Sequence, residues 1–277
     1  MIKKLCNIVL ATDGSEFSSG AENFALNLAQ KCGAKLYIIY VILHNPEYDT
    51  IAPQEVETEI SKAKEILQKV KQEATNRGLE VETDIILAEE IEKGIISGAE
   101  KYQANLIVMG RRGKRGLAKF FIGSATLGVL QLSQCPLLVA PRKAEFKGKG
   151  LLVCVDGTFP SLYALDVAAE IAFKTNLPIY IISIAKDIKE KELAEANIKK
   201  GIEHLLSKNL NLTIADQIVH IGDPAKIIIE VAKQRDVDII VLGNRGLKGF
   251  TKMVLGSVSE NVLSNTDRAV LIVKTLE

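Results

Sequence analysis

Leu106-Ile107-Val108-Met109-Gly110-Arg111-Arg112-Gly113, followed after nine residues by Gly123-Ser124, is the stretch on which the fold turns. An apolar run empties into a glycine-rich loop, and the loop ends where a helical pattern begins. The arrangement returns as Ile239-Ile240-Val241-Leu242-Gly243-Asn244-Arg245-Gly246, again nine residues, then Gly256-Ser257. A strand that leads through such a loop to a helix N-terminus turns backbone N–H groups towards an anion. Two copies in one chain imply two nucleotide-type sites on two copies of one domain.

The front of each half carries the same duplication. Asp13 meets Asp156 at an offset of 143, and there Leu36-Tyr37-Ile38-Ile39-Tyr40-Val41 falls on Ile179-Tyr180-Ile181-Ile182-Ser183-Ile184 without a gap. Ala25 and Ala29 likewise meet Ala168 and Ala172. Gly110 meets Gly243 at an offset of 133, so the second half has lost ten residues (143 − 133) in its middle. The first half has the loop His44-Asn45-Pro46-Glu47-Tyr48-Asp49-Thr50, where the second passes almost directly into a helix. Copies of this length bury their own cores and are duplicated domains, not solenoid units. We place the domains at residues 1–143 and 151–277, with 143–150 as a short linker.

Composition narrows the class. The chain has 277 residues, 47% of them hydrophobic and 25% charged, which suits two soluble globular domains. A formal net charge of +1 supplies no overall field towards nucleic acid or a membrane surface, so neither is expected as a partner. No apolar run reaches the length of a membrane span, and the N-terminus leads into a strand, so the cytoplasm is the expected location. Cys6, Cys32, Cys135 and Cys154 form no Cys-x-x-Cys pair, and His44, His204 and His220 are scattered singly. Neither a disulfide framework nor a protein metal site is expected.

Alternating apolar runs and helical periodicities give five strands and four helices in each half. The strands read as apolar over their length, as strands covered on both faces must. The fold class is therefore α/β: two tandem doubly wound, mostly parallel five-stranded, Rossmann-like domains. Ser18 or Ser19 is the expected N-cap of the first helix, and Gly78 the C-terminal glycine of the long second helix.

In such sheets the ligand crevice lies at the carboxyl ends of the strands, where the strand order reverses. Asp13-Gly14-Ser15 and Asp156-Gly157-Thr158 end the first strand of each copy there. Either aspartate could bond a ribose hydroxyl or a base amino group, or close an Asx-turn; both roles can coexist. The glycines let the backbone approach phosphates, and Ser124 and Ser257 can donate a hydroxyl. The spacing is neither the Walker P-loop, which ends in Gly-Lys-Ser/Thr, nor the tighter dinucleotide fingerprint.

With these motifs the chain resembles the universal stress protein family in its tandem form, over nearly its whole length. The carriers are Asp13-Gly14-Ser15, Ala21, Ala25 and Gly110-x2-Gly113-x9-Gly123-Ser124. In the second copy they are Asp156-Gly157-Thr158, Gly222-Asp223-Pro224 and Gly243-x2-Gly246-x9-Gly256-Ser257. The resemblance implies binding of ATP, or of AMP or ADP. Val41 and Ile184 would offer backbone contacts to adenine, with Asp13 and Asp156 beside the nucleoside. Gly110, Arg111, Gly113, Gly123, Ser124 and Ala125 would hold ribose and phosphates in one copy. Gly222, Gly243, Asn244, Gly246, Gly256, Ser257 and Val258 complete the set in the other. The resemblance further implies an internal pseudo-dimer through the last strands, with a homodimer and a protein partner as further expectations. Mg²⁺ can accompany ATP on its phosphate oxygens with few protein ligands.

The copies are unequal. The second has Gly222-Asp223-Pro224 where the first has Glu89-Glu90-Ile91, which brings bulk and negative charge near the expected base pocket. The first glycine loop is the more basic, with Arg111, Arg112, Lys114, Arg115 and Lys119 against Arg245, Lys248 and Lys252. Those charges could neutralise a triphosphate or be a solvated loop. The second site is expected to fit the family pattern better. No catalytic residue is assigned. The expected function is a nucleotide-responsive regulatory or protective module, with a slow ATPase or self-phosphorylating enzyme, or a non-binding scaffold, as rivals.

Overall fold

The computed structural model describes residues 5–45, 53–113, 122–245 and 255–275. Two compact units divide the chain after Ala144. The first contains β1 (Asn7–Ala11), α1 (Ser19–Cys32), β2 (Lys35–Leu43), α2 (Pro53–Asn76), β3 (Val81–Ala88), α3 (Ile91–Lys101), β4 (Leu106–Gly110), α4 (Ser124–Leu132) and β5 (Leu137–Ala140). Its strands are parallel in the order β3-β2-β1-β4-β5, with Val9 beside both Tyr37 and Ile107.

The second unit contains β6 (Leu151–Cys154), α5 (Phe159–Thr175), β7 (Ile179–Ala185), a 3₁₀ turn (Ile188–Glu190) and α6 (Lys191–Leu206). It continues with β8 (Ile214–Ile221), α7 (Pro224–Gln234), β9 (Ile239–Arg245), α8 (Ser257–Asn265) and β10 (Ala269–Thr275). Its order, β8-β7-β6-β9-β10, repeats the first. The chain winds outward through three strands and then crosses back to the fourth. Right-handed crossovers therefore place helices on both faces and open a crevice between β1 and β4, and between β6 and β9.

Burial follows that order. Ile8, Val9, Leu10, Ile107, Val108, Leu151, Leu152, Val153, Ile240 and Val241 are fully buried, since helices cover both faces of the central strands. The edge strands correct the expectation of apolar runs throughout: β3 and β8 are half-exposed, and charged side chains such as Glu82 and Asp216 lie along them. An edge has one covered face and an open row of backbone groups, and charge there discourages pairing with other chains.

Chain ends of elements are fixed by local chemistry. Gly33 and Gly78 adopt φ of +61° and +74° after α1 and α2, the left-handed conformation that a C-terminal glycine supplies, as expected for Gly78. The Asn105 Oδ1, just before β4, accepts N–H bonds from Cys6 and Asn7 at 3.0 Å each and ties down the start of β1. Asp238 holds the same place before β9 and is 2% exposed. Its carboxylate accepts backbone N–H groups from Lys147, Gly148, Lys149 and Gly150, so these four linker residues are folded into the second unit. Strand β9 runs beyond the expected Leu242 to Arg245, because Gly243, Asn244 and Arg245 stay in register with Val273, Lys274 and Thr275 of β10.

Candidate functional site

In the first unit β1 ends at Ala11, and the turn that follows, at Asp13, is wired by hydroxyls. Asp13 Oδ1 accepts from the Ser15 N–H at 3.0 Å, and from the hydroxyls of Ser15 and Ser18 at 2.6 Å each. The Asx-turn reading is thus correct. Ser18 stands at the N-cap of α1, yet its side chain makes no cap bond and serves Asp13 instead. The sequence signal is a hydroxyl two and five residues after each aspartate: Ser15 and Ser18, Thr158 and Ser161.

The glycine loop folds back onto this carboxylate. A Cβ on Gly113 would lie 2.9 Å from Asp13 Oδ2, and one on Gly110 would lie 2.8 Å from the Phe17 carbonyl and 3.0 Å from that of Arg112. The Arg111 N–H donates to Ala140 O at 3.1 Å, and its carbonyl accepts from the Gly123 N–H at 2.9 Å. Thr126, a buried side chain not singled out from the sequence, donates to Gly110 O at 3.1 Å and so closes the loop against α4. Its counterpart Ser259 is also buried, and the hydroxyl two residues after each Gly-Ser was the available signal.

Gly123 is the N-cap of α4 and contributes no side-chain cap; Ser124 and Ala125 begin the helix, with no acidic residue in its first turn. The first N–H groups of a helix have no partner within it, and they carry the positive end of its dipole. Asp13, Gly110, Arg111, Gly113, Gly123, Ser124 and Ala125 therefore converge at the carboxyl ends of β1 and β4. Val41, at the end of β2, turns its side chain to α3: Cγ1 occupies the space a Cβ on Gly94 would need. Its backbone pairs with Ile86 of β3.

The second unit repeats the frame with different fittings. Asp156 Oδ1 accepts from the Thr158 N–H at 3.0 Å and the Thr158 hydroxyl at 2.5 Å, while Ser161 donates to Thr158 O and accepts from the Asp156 N–H. Asn197 of α6 packs on Gly157, and Lys200 Nζ donates to the Gly157 carbonyl at 2.8 Å. Ile66 of α2 covers Gly14 at the corresponding place in the first unit. Gly243 lies against the turn into α5: a Cβ there would run into Pro160 O, and would lie 2.5 Å from Pro160 C and 2.8 Å from Ser161 N. Asn244 is 7% exposed within β9. Gly256 caps α8 with no described residue within 4 Å of its Cβ position, followed by exposed Ser257 and half-buried Val258, but Glu260 occupies the first turn. Gly246 and the loop cations Lys114, Arg115, Lys119, Lys248 and Lys252 lie outside the described residues.

At the end of β8, the Gly222 N–H donates to Ala185 O at 2.9 Å, and Asp223 caps α7 by accepting from the Lys226 N–H at 3.0 Å. Ile184 pairs with His220 one step earlier. In the first unit Glu90 takes the cap position of α3 without capping it and pairs with Lys93 at 2.6 Å. The negative charge expected near the base pocket is thus partly met by Lys93, whose pKa the Glu90 hydrogen bond raises. Beside Asp156, burial and then the Asp156 charge push the Cys154 thiol well above its ordinary pKa, which keeps it protonated and inert.

Comparisons with known proteins place the chain in a family. The universal stress protein family model matches residues 5–141 and again 149–274. Universal stress protein MJ0531 of Methanocaldococcus jannaschii is 36% identical over 139 residues, covering 49% of this chain and 81% of that protein. Universal stress protein Slr1230 of Synechocystis is 24% identical over 287 residues, covering 96% of this chain and 98% of its own. A crystal structure of a universal stress protein from Archaeoglobus fulgidus superposes with a TM-score of 0.78 at 22% identity, covering 97% of this chain and 98% of that one.

Proposed function

This chain belongs to the universal stress protein family, as two tandem family domains, and on that premise we propose that each unit binds an adenine nucleotide and acts as a nucleotide-responsive regulatory or protective module. The observation that carries the reading is the approach of the loop's glycines to the aspartate at the switch point. Gly110 and Gly113 touch backbone and Asp13, and the path ends at an uncapped helix N-terminus at Gly123. In the second unit the matching glycines are Gly243, packed on Pro160 and Ser161 at the start of α5, and Gly256 at the N-cap of α8.

Chemically, the N–H groups at the starts of α4 and α8 receive phosphates, and the Ser124 and Ser257 hydroxyls add donors. Asp13 and Asp156 are held by hydroxyls in a fixed orientation and accept from ribose hydroxyls. The backbone at Val41 and Ile184 faces the base. Nucleotide binding shifts the population of a partner-competent state. A calorimetric titration with ATP and AMP tests this on wild type, Asp13→Ala and Asp156→Ala. Two binding events, each weakened by its own variant, are expected. The absence of heat with either nucleotide would refute the reading. Steady release of phosphate, abolished by Asp156→Ala, would replace the sensor with an ATPase.

A further inference from the structure

Behind the Asp13 turn lies a polar pair that the second unit does not have. Thr12, 6% exposed, donates its hydroxyl proton to Glu22 Oε1 at 2.6 Å and accepts the Gly14 N–H at 3.1 Å. Glu22 projects from α1, and its carboxylate fixes the direction of the Thr12 hydroxyl and, through it, the backbone of the Asp13-Gly14 turn. At the matching offset of 143 the second unit has Val155 and Leu165, which are 3% and 0% exposed. There the turn is held by Lys200 of α6 on the Gly157 carbonyl. The fold therefore closes with an apolar pair at this place, and the first unit keeps an acid there.

We propose that Glu22 is a positioning residue of the first nucleotide site and makes ATP binding there proton-linked, while the second site, with Val155 and Leu165, lacks this linkage. The inference rests on the nucleotide reading above. The groups that face Glu22 are Asp13 from the turn after β1, and Glu73 and Lys69 from α2. Burial, the largest influence, raises the Glu22 pKa; the Thr12 hydrogen bond lowers it, Glu73 raises it, Lys69 lowers it and Asp13 raises it. The loop that would carry the phosphates abuts Asp13 at Gly113. A phosphate held there adds negative charge on the side from which Asp13 already opposes ionisation of Glu22. Binding then raises the Glu22 pKa further, so a proton is taken up. By linkage the affinity of the first site falls as pH rises through that range, by at most about tenfold per pH unit for one proton.

The test is calorimetric titration of the full chain with ATP in pairs of buffers of different ionisation enthalpy, across about pH 5 to 8, where raised carboxyls titrate. Each measurement gives the protons taken up per ATP. The phosphate of ATP titrates in the same range, but its share cancels between wild type and variant. Glu22→Gln keeps an acceptor for Thr12 and cannot ionise, so it should lose the extra uptake and hold its affinity at the high-pH end. Thr12→Val/Glu22→Leu installs the pair of the second unit and should lose the same uptake. Equal proton uptake and equal pH profiles in wild type and Glu22→Gln would overturn the inference while leaving nucleotide binding intact. No ATP binding at any pH would overturn the nucleotide reading and this inference with it.

Discussion

Two glycines of the second unit separate fold from function, because one has room for a methyl group and the other has none. Gly256 sits at φ −65° and ψ 151°, which any L-residue adopts, and a Cβ there meets none of the described residues within 4 Å. Gly256→Ala loses roughly 0.5–1 kcal/mol as a poorer N-cap. It regains about 0.4–1 kcal/mol from the reduced freedom of the unfolded chain. The balance lies within about 0.5 kcal/mol of zero, the range of ordinary surface substitutions. Gly243→Ala differs: its methyl would press on Pro160 O, Pro160 C and Ser161 N, all backbone atoms that cannot rotate away. Overpacking of that kind costs about 1–3 kcal/mol. Urea unfolding should therefore show an unchanged midpoint for Gly256→Ala and a lowered one for Gly243→Ala. If a phosphate packs on the Gly256 backbone, the same harmless methyl should weaken ATP binding in the second unit at least about tenfold, or roughly 1.4 kcal/mol. Full affinity in a stable Gly256→Ala protein would refute the role of this glycine as a point of close approach. A large loss of stability would refute the open geometry.

Asp238→Ala strands the four linker N–H groups; bonds to a charged acceptor contribute about 1.5–3 kcal/mol each when buried. Only the Gly150 bond is buried and the others regain water, so a loss of about 3 kcal/mol is expected. It should appear as a lower denaturant midpoint at unchanged slope. Glu22 gives a stability profile without ligand. Its folded pKa lies above the ordinary value of 4.5, so its contribution is fully present below that value and is lost as pH rises through the folded pKa. The stability of Glu22→Gln minus that of wild type should accordingly rise with pH and level off; a flat difference would contradict the burial of the charge. Glu260→Gln removes an acid from the first turn of α8. It should tighten ATP binding in the second unit by about 0.3–1 kcal/mol at low salt, fading as salt is added.

Strands and the repeat were legible because they follow from local composition: Leu106–Met109 and Ile239–Leu242 are apolar runs, and the glycine spacings recur in register. The switch-point position of Asp13 and Asp156 followed from the order of elements alone. What the sequence hid depends on groups far apart in the chain. Thr126 reads as an ordinary helix residue until Gly110 O is seen 3.1 Å from its hydroxyl. Ser18 reads as a cap until Asp13 claims it. Glu22 falls on the apolar face of α1 among Ala21, Phe24 and Ala25, where periodicity registers only an interruption, and Thr12, ten residues back in the chain, gives no hint of the bond. The extension of β9 to Arg245 was invisible because pairing with β10, not propensity, sustains it.

The two units answer the same folding problem with different residues at one place. Thr12 and Glu22 stand opposite Val155 and Leu165; Ile66 stands opposite Asn197 over the Asp-Gly turn; Gly94 stands opposite Ile227, whose Cδ1 reaches 3.2 Å from the Cβ position of Gly222. The first turn of α4 has no acid, and that of α8 has Glu260. Either set closes the core, as the fully buried strands of both units show, so folding alone does not require the difference. Their shared location does bear on a ligand at the carboxyl ends of the strands. The first site meets it with a bare helix N-terminus and a titratable acid behind the turn. The second meets it with a lysine on the turn and an acid on the helix. Under the nucleotide reading, the first turn of α4, which carries no acid of its own, would favour phosphates over that of α8 with Glu260. The compact Gly222-Asp223-Pro224 turn keeps its advantage for the base. On that reading, one duplicated fold would present two receptors whose responses to pH and salt run apart.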